Sequence, residues 1–336
     1  MKITLKEFIQ IALSLLVAVW IFWFLYKDIK MESLAEALRQ ASVFWITLSI
    51  VISVWGYWLR AWRWKLLIDV NEQQQVDLWR VFWALMTGYL ANLLVPRAGE
   101  VVRCGVLKKT DHLQMGKLFG TVILERTVDL LFLISTVLLA FFMENKVFLS
   151  LIGELASLET LGSAAKNYLP LLIGGLVLMG MLAFWILKRY RDRGLIKKLR
   201  HFIRDFIKGV ISLRHVKNQW GFWTSSMLIW TIYFLMMYFV VLAIPSTASL
   251  SATSVLMVMV MGSIGMIAPV QGGIGTFHAL VAFILGFYGL SLEEGKIFAV
   301  IIHGTQMLTV IVLGIISLIV LAKIVAKEEP IRGSLR

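Results

Sequence analysis

The chain has 336 residues, of which 59% are hydrophobic and 16% are charged, whereas soluble domains have about 45–50% apolar and about 25% charged residues. This balance excludes an ordinary soluble domain. The formal net charge of +13 is concentrated beside apolar segments, which favours a membrane surface over a nucleic acid as its partner. The single cysteine excludes an internal disulfide, and no histidine or cysteine pair has the spacing of a metal site. We therefore expect no metal, no cofactor and no nucleic-acid partner.

Long apolar runs follow one another along the chain. They cover residues 9–26, 43–59, 81–95, 118–143, 169–187, 221–244, 252–270, 276–290 and 297–322. Hydrocarbon leaves a spanning chain only helices or a closed barrel, and continuous rather than alternating apolar runs exclude the barrel. Because about 20 residues of helix span a bilayer, the sequence predicts an all-α polytopic membrane protein with about six full spans and two Gly/Pro-broken segments. We expect residues 1–336 to form a single transmembrane domain.

Basic residues around the first two runs predict the orientation. Lys2 and Lys6 precede the first run, and the aromatic and basic segment 58–65 follows the second. Lys and Arg are in excess in cytoplasmic segments, and aromatic residues mark the interface. We therefore expect the N-terminus in the cytoplasm and interpret residues 58–65 as an interfacial anchor. The basic residues after residue 322 place the C-terminus on the same side.

The third run, residues 81–95, is short for a span and ends at Pro96. If it crossed completely, the basic residues that follow it would emerge outside: Arg97, Arg103, Lys108, Lys109 and Lys117. Every later loop would be inverted as well. Re-entrant backbone is tolerated at membrane depth where protein buries it or where it lines a wet cavity. We therefore predict that this first broken segment enters from the cytoplasm and returns.

Polar residues surround this break. Asn92 and Pro96 are followed by Arg97, Gly99, Glu100 and Arg103. If a helix begins after Pro96, its amide groups and positive dipole end form a ready anion site. The planar fork of Arg97 would strengthen that site for a lipid phosphate. The alternative is that these arginines only extend to the membrane interface.

Three charged residues interrupt the next apolar run. Asp129 lies three positions after Arg126 and four after Glu125, which places it beside both on one helix face. Charges inside a membrane helix cost about 2.5–3.5 kcal/mol each at the helix centre, and they normally pair or face a cavity. Two interpretations stay open: the three residues line a polar cavity, or they close the bundle as a structural ion pair.

Residues 188–217 form a basic loop that contains eleven Lys or Arg residues and two Asp residues. Such an excess is typical of a cytoplasmic loop. Apolar residues recur among the charges at helical spacing, which predicts an amphipathic helix lying on anionic lipid. A helix that binds a protein partner is the alternative.

A second broken segment lies in the C-terminal half. It contains Pro269, Gln271, Gly272, Gly273 and Gly275, followed by His278. The glycines predict a tight turn and close backbone approach. The sequence leaves open whether residues 252–290 form a re-entrant hairpin or span twice. We interpret His278, His303 and Gln306 as hydrogen-bonded packing residues in apolar helices rather than as a proton relay.

The two broken segments lie 173 positions apart, measured from Pro96 to Pro269. Paired Gly/Pro-interrupted segments in two halves of a chain indicate the binding site of an inverted-repeat transporter. We therefore predict an inverted repeat, and the alternative is a coincidence of two unrelated helix breaks.

Three motifs in order resemble the lysylphosphatidylglycerol synthase transmembrane-region family, also called flippase-like. They are the segment 92–103, the segment Glu125-Arg126-Thr-Val-Asp129 and the segment 269–275. The resemblance covers roughly residues 8–325 and implies a bacterial cytoplasmic membrane protein that translocates a lipid. Bifunctional relatives add a soluble aminoacyltransferase domain. Because only 14 residues follow Ala322, we expect neither that domain nor synthase activity.

The favoured hypothesis is a flippase or carrier for a polar lipid of phospholipid, aminoacyl-phospholipid or prenyl-phosphate type. Its headgroup would bind the polar residues of the first break and of the 125–129 cluster. Their three basic and three acidic side chains cancel, which indicates a headgroup of mixed charge. The alternatives are an intramembrane headgroup transferase, with Glu125 or Asp129 as general base, and a non-catalytic scaffold. Small residues such as Gly174, Gly175 and Gly262 leave a homo-oligomer open.

Overall fold

A computed structural model describes residues 23, 31–71, 76–156, 216–268 and 270–333. These residues form ten α-helices and a short 3₁₀ turn, with no β-strand among them. The predicted all-α fold is therefore confirmed. Pro269, the two predicted spans 9–26 and 169–187, and all of the basic loop except its last two residues lie outside the described residues.

We number the described helices in chain order. They are α1 Met31–Gln40, α2 Val43–Asn71, α3 Leu78–Leu94, α4 Ala98–Asp111, α5 Met115–Met143, α6 Asn145–Ala156, α7 Gln219–Ala243, α8 Ala252–Gly265, α9 Thr276–Gly286 and α10 Leu292–Gly333. The 3₁₀ turn Gln271–Gly273 lies between α8 and α9.

Four of these helices are long and apolar enough to cross a membrane. The qualifying stretches are Val43–Asp69 in α2, Met115–Met143 in α5, Gln219–Ala243 in α7 and Leu292–Val325 in α10. Helices α8 and α9 are apolar but shorter. The protein is thus a multi-pass membrane protein, while the predicted number of spans and their orientation stay predictions.

The chain divides into two compact units, Met1–Ala140 with His215–Arg336, and Phe141–Arg214. The described part of the second unit consists of the end of α5 and α6, where the rings of Phe141 and Phe148 pack edge to face at 5.2 Å. The predicted single transmembrane domain stays a prediction. Everything described below belongs to the first unit.

The first unit is built around the long pair α2 and α7. Ser49 donates a hydrogen bond of 2.8 Å to the Met236 carbonyl, and the rings of Trp45 and Phe239 stack at 5.6 Å. Helix α3 packs against α2, α4 and α10. The hydroxyl group of Thr87 on α3 lies 2.8 Å from the hydroxyl group of Ser317 on α10. Polar contacts of this kind hold membrane helices together where lipid removes the hydrophobic drive for association.

Glycines allow close packing within the two helical hairpins that contain the breaks, α3 with α4 and α8 with α9. A Cβ on Gly99 of α4 would overlap the carbonyl oxygen of Gly88 on α3, and a Cβ on Gly265 of α8 would lie 2.7 Å from the Cα of Phe277 on α9. Only glycine permits backbones to approach this closely. The close approach predicted from the glycines is therefore confirmed, and the sole cysteine, Cys104, is fully buried in the packing of the first hairpin.

Candidate functional site

The first break separates α3 from α4. Helix α3 ends at Leu94, and α4 begins at Ala98, directly after Pro96 and Arg97, as predicted. Arg97 has a left-handed backbone with φ of 61°, which is uncommon for a residue with a side chain. Asn92 Oδ1 accepts the Gly99 amide hydrogen at 2.7 Å. Asn92 therefore caps the first turn of α4 from the end of α3.

The second break separates α8 from α9. Gly272, Gly273 and Gly275 all have left-handed backbones, with φ of 56°, 74° and 89°, which confirms the predicted tight turn. Thr276 donates a 2.7 Å hydrogen bond to the Gly265 carbonyl and so ties the start of α9 to the end of α8. Gln271 is 1% exposed and lies in the core of this turn.

The two breaks touch each other. Arg97 Nη2 donates to the Ile267 carbonyl at 3.2 Å, across 170 positions of sequence. Helix α3 also packs against the 3₁₀ turn, where Leu93 lies 3.1 Å from the position of a Cβ on Gly272. The glycines and prolines of the two broken segments predict that the segments are paired, and in the structure the two segments do form one feature.

A cavity of about 660 Å³ lies where the two breaks meet. Helices α2, α3, α4, α5, α7 and α10 complete its wall. The lining residues are Tyr57, Arg60, Tyr89, Asn92, Leu93, Pro96, Arg97, Glu100, Arg126, Tyr233, Met266, Ile267, Ala268, Val270, Gly272, Gly273, His303, Gln306, Met307 and Val310. Polar side chains thus converge from six helices, while apolar residues form most of the rest of the wall.

The structure brings seven of the predicted site residues to this wall: Asn92, Pro96, Arg97, Glu100, Arg126, Gly272 and Gly273. The other predicted residues that the structure describes are not among the lining residues. They are Gly99, Arg103, Glu125, Asp129, Gln271, Gly275 and His278. A binding role for any of these residues stays a prediction.

Arg103, Glu125 and Asp129 belong to a buried ion-pair network behind the cavity. Arg103 Nη2 lies 2.6 Å from Glu125 Oε2, and both side chains are 3% exposed. Arg63 Nη2 lies 2.7 Å from Asp129 Oδ1 and 3.6 Å from Glu125 Oε1. Of the two open interpretations of the 125–129 cluster, the structure supports the structural ion pair for Glu125 and Asp129. Arg126, in contrast, does face the cavity.

Arginines Arg60 and Arg63 from α2 complete this network, and their role was not predicted. Arg60 Nη2 lies 3.2 Å from Asp129 Oδ2, and its Nη1 donates to the Tyr89 hydroxyl at 3.1 Å. Arg63 is fully buried. The interpretation of residues 58–65 as an interfacial anchor is therefore wrong for Arg60, Arg63 and Trp64. The sequence did contain a signal for this pairing. Arg60 and Arg63 lie three positions apart, and Glu125 and Asp129 lie four positions apart, so each pair occupies one face of its helix.

Trp64 provides a second kind of contact for the network. The guanidinium carbon of Arg103 lies 4.3 Å from the centre of the Trp64 ring, and a desolvated cation–π contact of this type contributes about 2 kcal/mol. The Trp64 indole donates to the Thr121 hydroxyl at 2.9 Å. The hydrogen bond thus holds the Trp64 ring in position, and the Arg103 guanidinium stacks on this ring.

Two histidines lie behind the second break. The rings of His278 and His303 stack with centroids 4.8 Å apart, and His278 Nδ1 accepts the Gly275 amide hydrogen at 3.2 Å. This supports the packing interpretation of His278. His303 differs, because it lines the cavity, is 5% exposed and has no hydrogen-bond partner at Nδ1 among the described residues.

The model of the family described as "Lysylphosphatidylglycerol synthase TM region" matches residues 11–314, a range that includes both breaks and every residue that lines the cavity. Comparison with curated proteins and with solved structures returned no match. The description ties the family to the membrane region of an enzyme that handles a lipid. The chain belongs to the lysylphosphatidylglycerol synthase TM region family.

Proposed function

We propose that this protein is a flippase or carrier that moves a polar lipid across the bacterial cytoplasmic membrane. The observation that carries the proposal is the cavity formed jointly by the two broken segments. Broken helices that meet at membrane depth are the usual binding site of transporters built from two related halves. In this proposal the protein is not an enzyme, and both of its termini lie in the cytoplasm.

The distribution of side chains around the cavity suits a lipid. Arg60, Arg97, Glu100 and Arg126 offer ionic partners to a headgroup. At the rim, Met266 and Ile267 are both lining residues and about half exposed, so apolar chains have a path into the bilayer. Rocking of α3 and α4 against α8, α9 and α10, with the contact between Leu93 and Gly272 as the pivot, would expose the headgroup to each side in turn.

The structure favours neither alternative function. Glu125 and Asp129, the candidate bases of a transferase, are held by Arg103, Arg60 and Arg63 and are not among the residues that line the cavity. The scaffold hypothesis depends on the basic loop 188–217, nearly all of which lies outside the described residues. Lipid translocation therefore remains the function with the most support.

Filling the cavity tests the proposal. Met307 lines the cavity, whereas the next residue of α10, Leu308, is 62% exposed and faces away. In liposomes that contain fluorescent tracer lipids, Met307→Trp is expected to lower protein-dependent leaflet exchange about tenfold or more, because an indole occupies the headgroup volume. Leu308→Trp adds the same bulk to the same helix and should exchange lipid at the wild-type rate.

Exchange at an equal rate in the wild type and in Met307→Trp would place the lipid path elsewhere. Absence of exchange for every tracer, in wild-type protein that elutes as a single folded species, would contradict the proposed function itself.

A further inference from the structure

The charges around the cavity do not balance. Five arginines lie in its wall or directly behind it, together with three carboxylates: Arg60, Arg63, Arg97, Arg103, Arg126, Glu100, Glu125 and Asp129. This set of eight residues therefore carries an excess of two positive charges. The sequence-based expectation of a neutral set is therefore wrong, because it counted neither Arg60 nor Arg63.

The carboxylates are already shared among the arginines. Asp129 alone accepts from Arg63 at 2.7 Å and Arg60 at 3.2 Å, with Arg126 at 3.8 Å. Glu100 is taken by Arg126 Nε at 2.7 Å. These acids neutralise the buried side of the network and leave its cavity side positive.

Arg97 is the arginine with the least compensation. Its side chain makes one hydrogen bond within the described part of the chain, to the neutral Ile267 carbonyl, and it is exposed and lines the cavity. A guanidinium group without a counter-charge that faces a cavity is a suitable partner for an anionic group of a ligand.

We infer that the cavity selects a headgroup of net negative charge, with a phosphate group bound by Arg97 and Arg60. This inference rests on the proposed function and specifies its substrate class. Guanidinium groups bind phosphate through two parallel charge-assisted hydrogen bonds, and an excess of two positive charges suits a phosphomonoester better than a diester. Zwitterionic and aminoacylated headgroups add positive charge where none is needed.

Lipid binding to the full-length protein tests the inference. The protein in detergent is offered an equimolar mixture of phosphatidic acid, phosphatidylglycerol, phosphatidylethanolamine and lysylphosphatidylglycerol with identical acyl chains, and retained lipids are counted by native mass spectrometry. We expect phosphatidic acid to be retained about tenfold over phosphatidylethanolamine, with phosphatidylglycerol between them. Equal or better retention of the zwitterionic or lysylated lipid would overturn the inference.

Matched variants assign the preference to the cavity. Arg97→Asn removes the charge but keeps a residue that tolerates the left-handed backbone, and it should lower phosphatidic acid retention about tenfold. Arg39→Asn removes the same charge from an exposed position on α1 and should retain lipid as the wild type does. Equal losses in both variants would show a general charge effect and overturn the inference.

A soluble competitor separates a lipid from a free anion. Inorganic phosphate should not displace phosphatidic acid at a matched concentration, because the apolar wall adds binding only for a lipid. Equal displacement would overturn the assignment to a lipid headgroup. If the protein exchanges lipid between leaflets but shows no preference for anionic lipid, this inference is overturned and the proposed function stands. If the protein prefers anionic lipid but exchanges none, the proposed function is contradicted and the charge preference stands.

Discussion

Replacing Glu125 by glutamine is expected to destabilise the protein by about 3–5 kcal/mol, since it removes one member of a buried charge pair. The change is nearly isosteric, so its effect is electrostatic. Arg103, 3% exposed and 2.6 Å from the carboxylate, would become a buried cation without a counter-charge, and Arg63 would lose its second acid. The midpoint of thermal unfolding in detergent should fall by several degrees, and less folded protein should be recovered.

Two further variants identify the cause. Glu100→Gln removes a carboxylate that also pairs with an arginine, but this pair is 32% exposed on the acid side and 46% on the arginine side. An exposed pair contributes about 1 kcal/mol at most, so the unfolding midpoint should hardly move. The double variant Arg103→Met/Glu125→Gln should recover part of the loss, because it leaves no orphaned Arg103 charge. Wild-type stability of Glu125→Gln alone would contradict the structural role of the network.

Replacing Gly99 by alanine is expected to open the first hairpin. The added methyl would overlap the backbone carbonyl of Gly88 and lie 2.7 Å from the Asn92 amide group, and neither helix backbone can yield without moving the break. Overpacking usually destabilises by about 1–3 kcal/mol, and more where backbone is involved. Because Arg97 and Glu100 flank Gly99, leaflet exchange should fall as well.

Gly105→Ala is the matched control, because it is the same substitution on the same helix. No atom lies within 4 Å of a Cβ at this position, so the variant should be as stable as the wild type or more stable by roughly 0.5–1 kcal/mol. Similar unfolding midpoints for the two variants would show that the contact between Gly88 and Gly99 does not hold the hairpin together.

Local sequence patterns predicted the helical class and both breaks well. Proline disrupts a helix interior but is tolerated where a helix begins, so the start of α4 after Pro96 was accessible from the sequence. The left-handed turn at Gly272, Gly273 and Gly275 also follows from a local rule. The similar settings of the two breaks also indicated a binding site of an inverted-repeat transporter, but the direct contact between the breaks was not predicted.

The partners of the charged residues were not accessible in this way. Arg60 and Arg63 lie among three tryptophans, and this local composition is also that of an interfacial anchor. Only the packing of α2 beside α5 shows that the arginines face Glu125 and Asp129. Whether Glu125 lines a cavity or closes a bundle depends on the same long-range packing, since a charged helix face has the same spacing in both cases.

In the proposed function, a lipid headgroup occupies the cavity between the two breaks. Photo-cross-linking in native-like membranes tests it most directly, using a phospholipid with a diazirine in its headgroup and a second phospholipid with the diazirine in an acyl chain. The headgroup probe should label peptides that contain residues 89–100, 266–273 and 303–310, which line the cavity, and Met307→Trp should reduce that labelling. The acyl probe should label outward residues beyond these segments, such as Val312, Ile315 and Ile319. Headgroup labelling confined to those outward positions, and unchanged in Met307→Trp, would contradict the account.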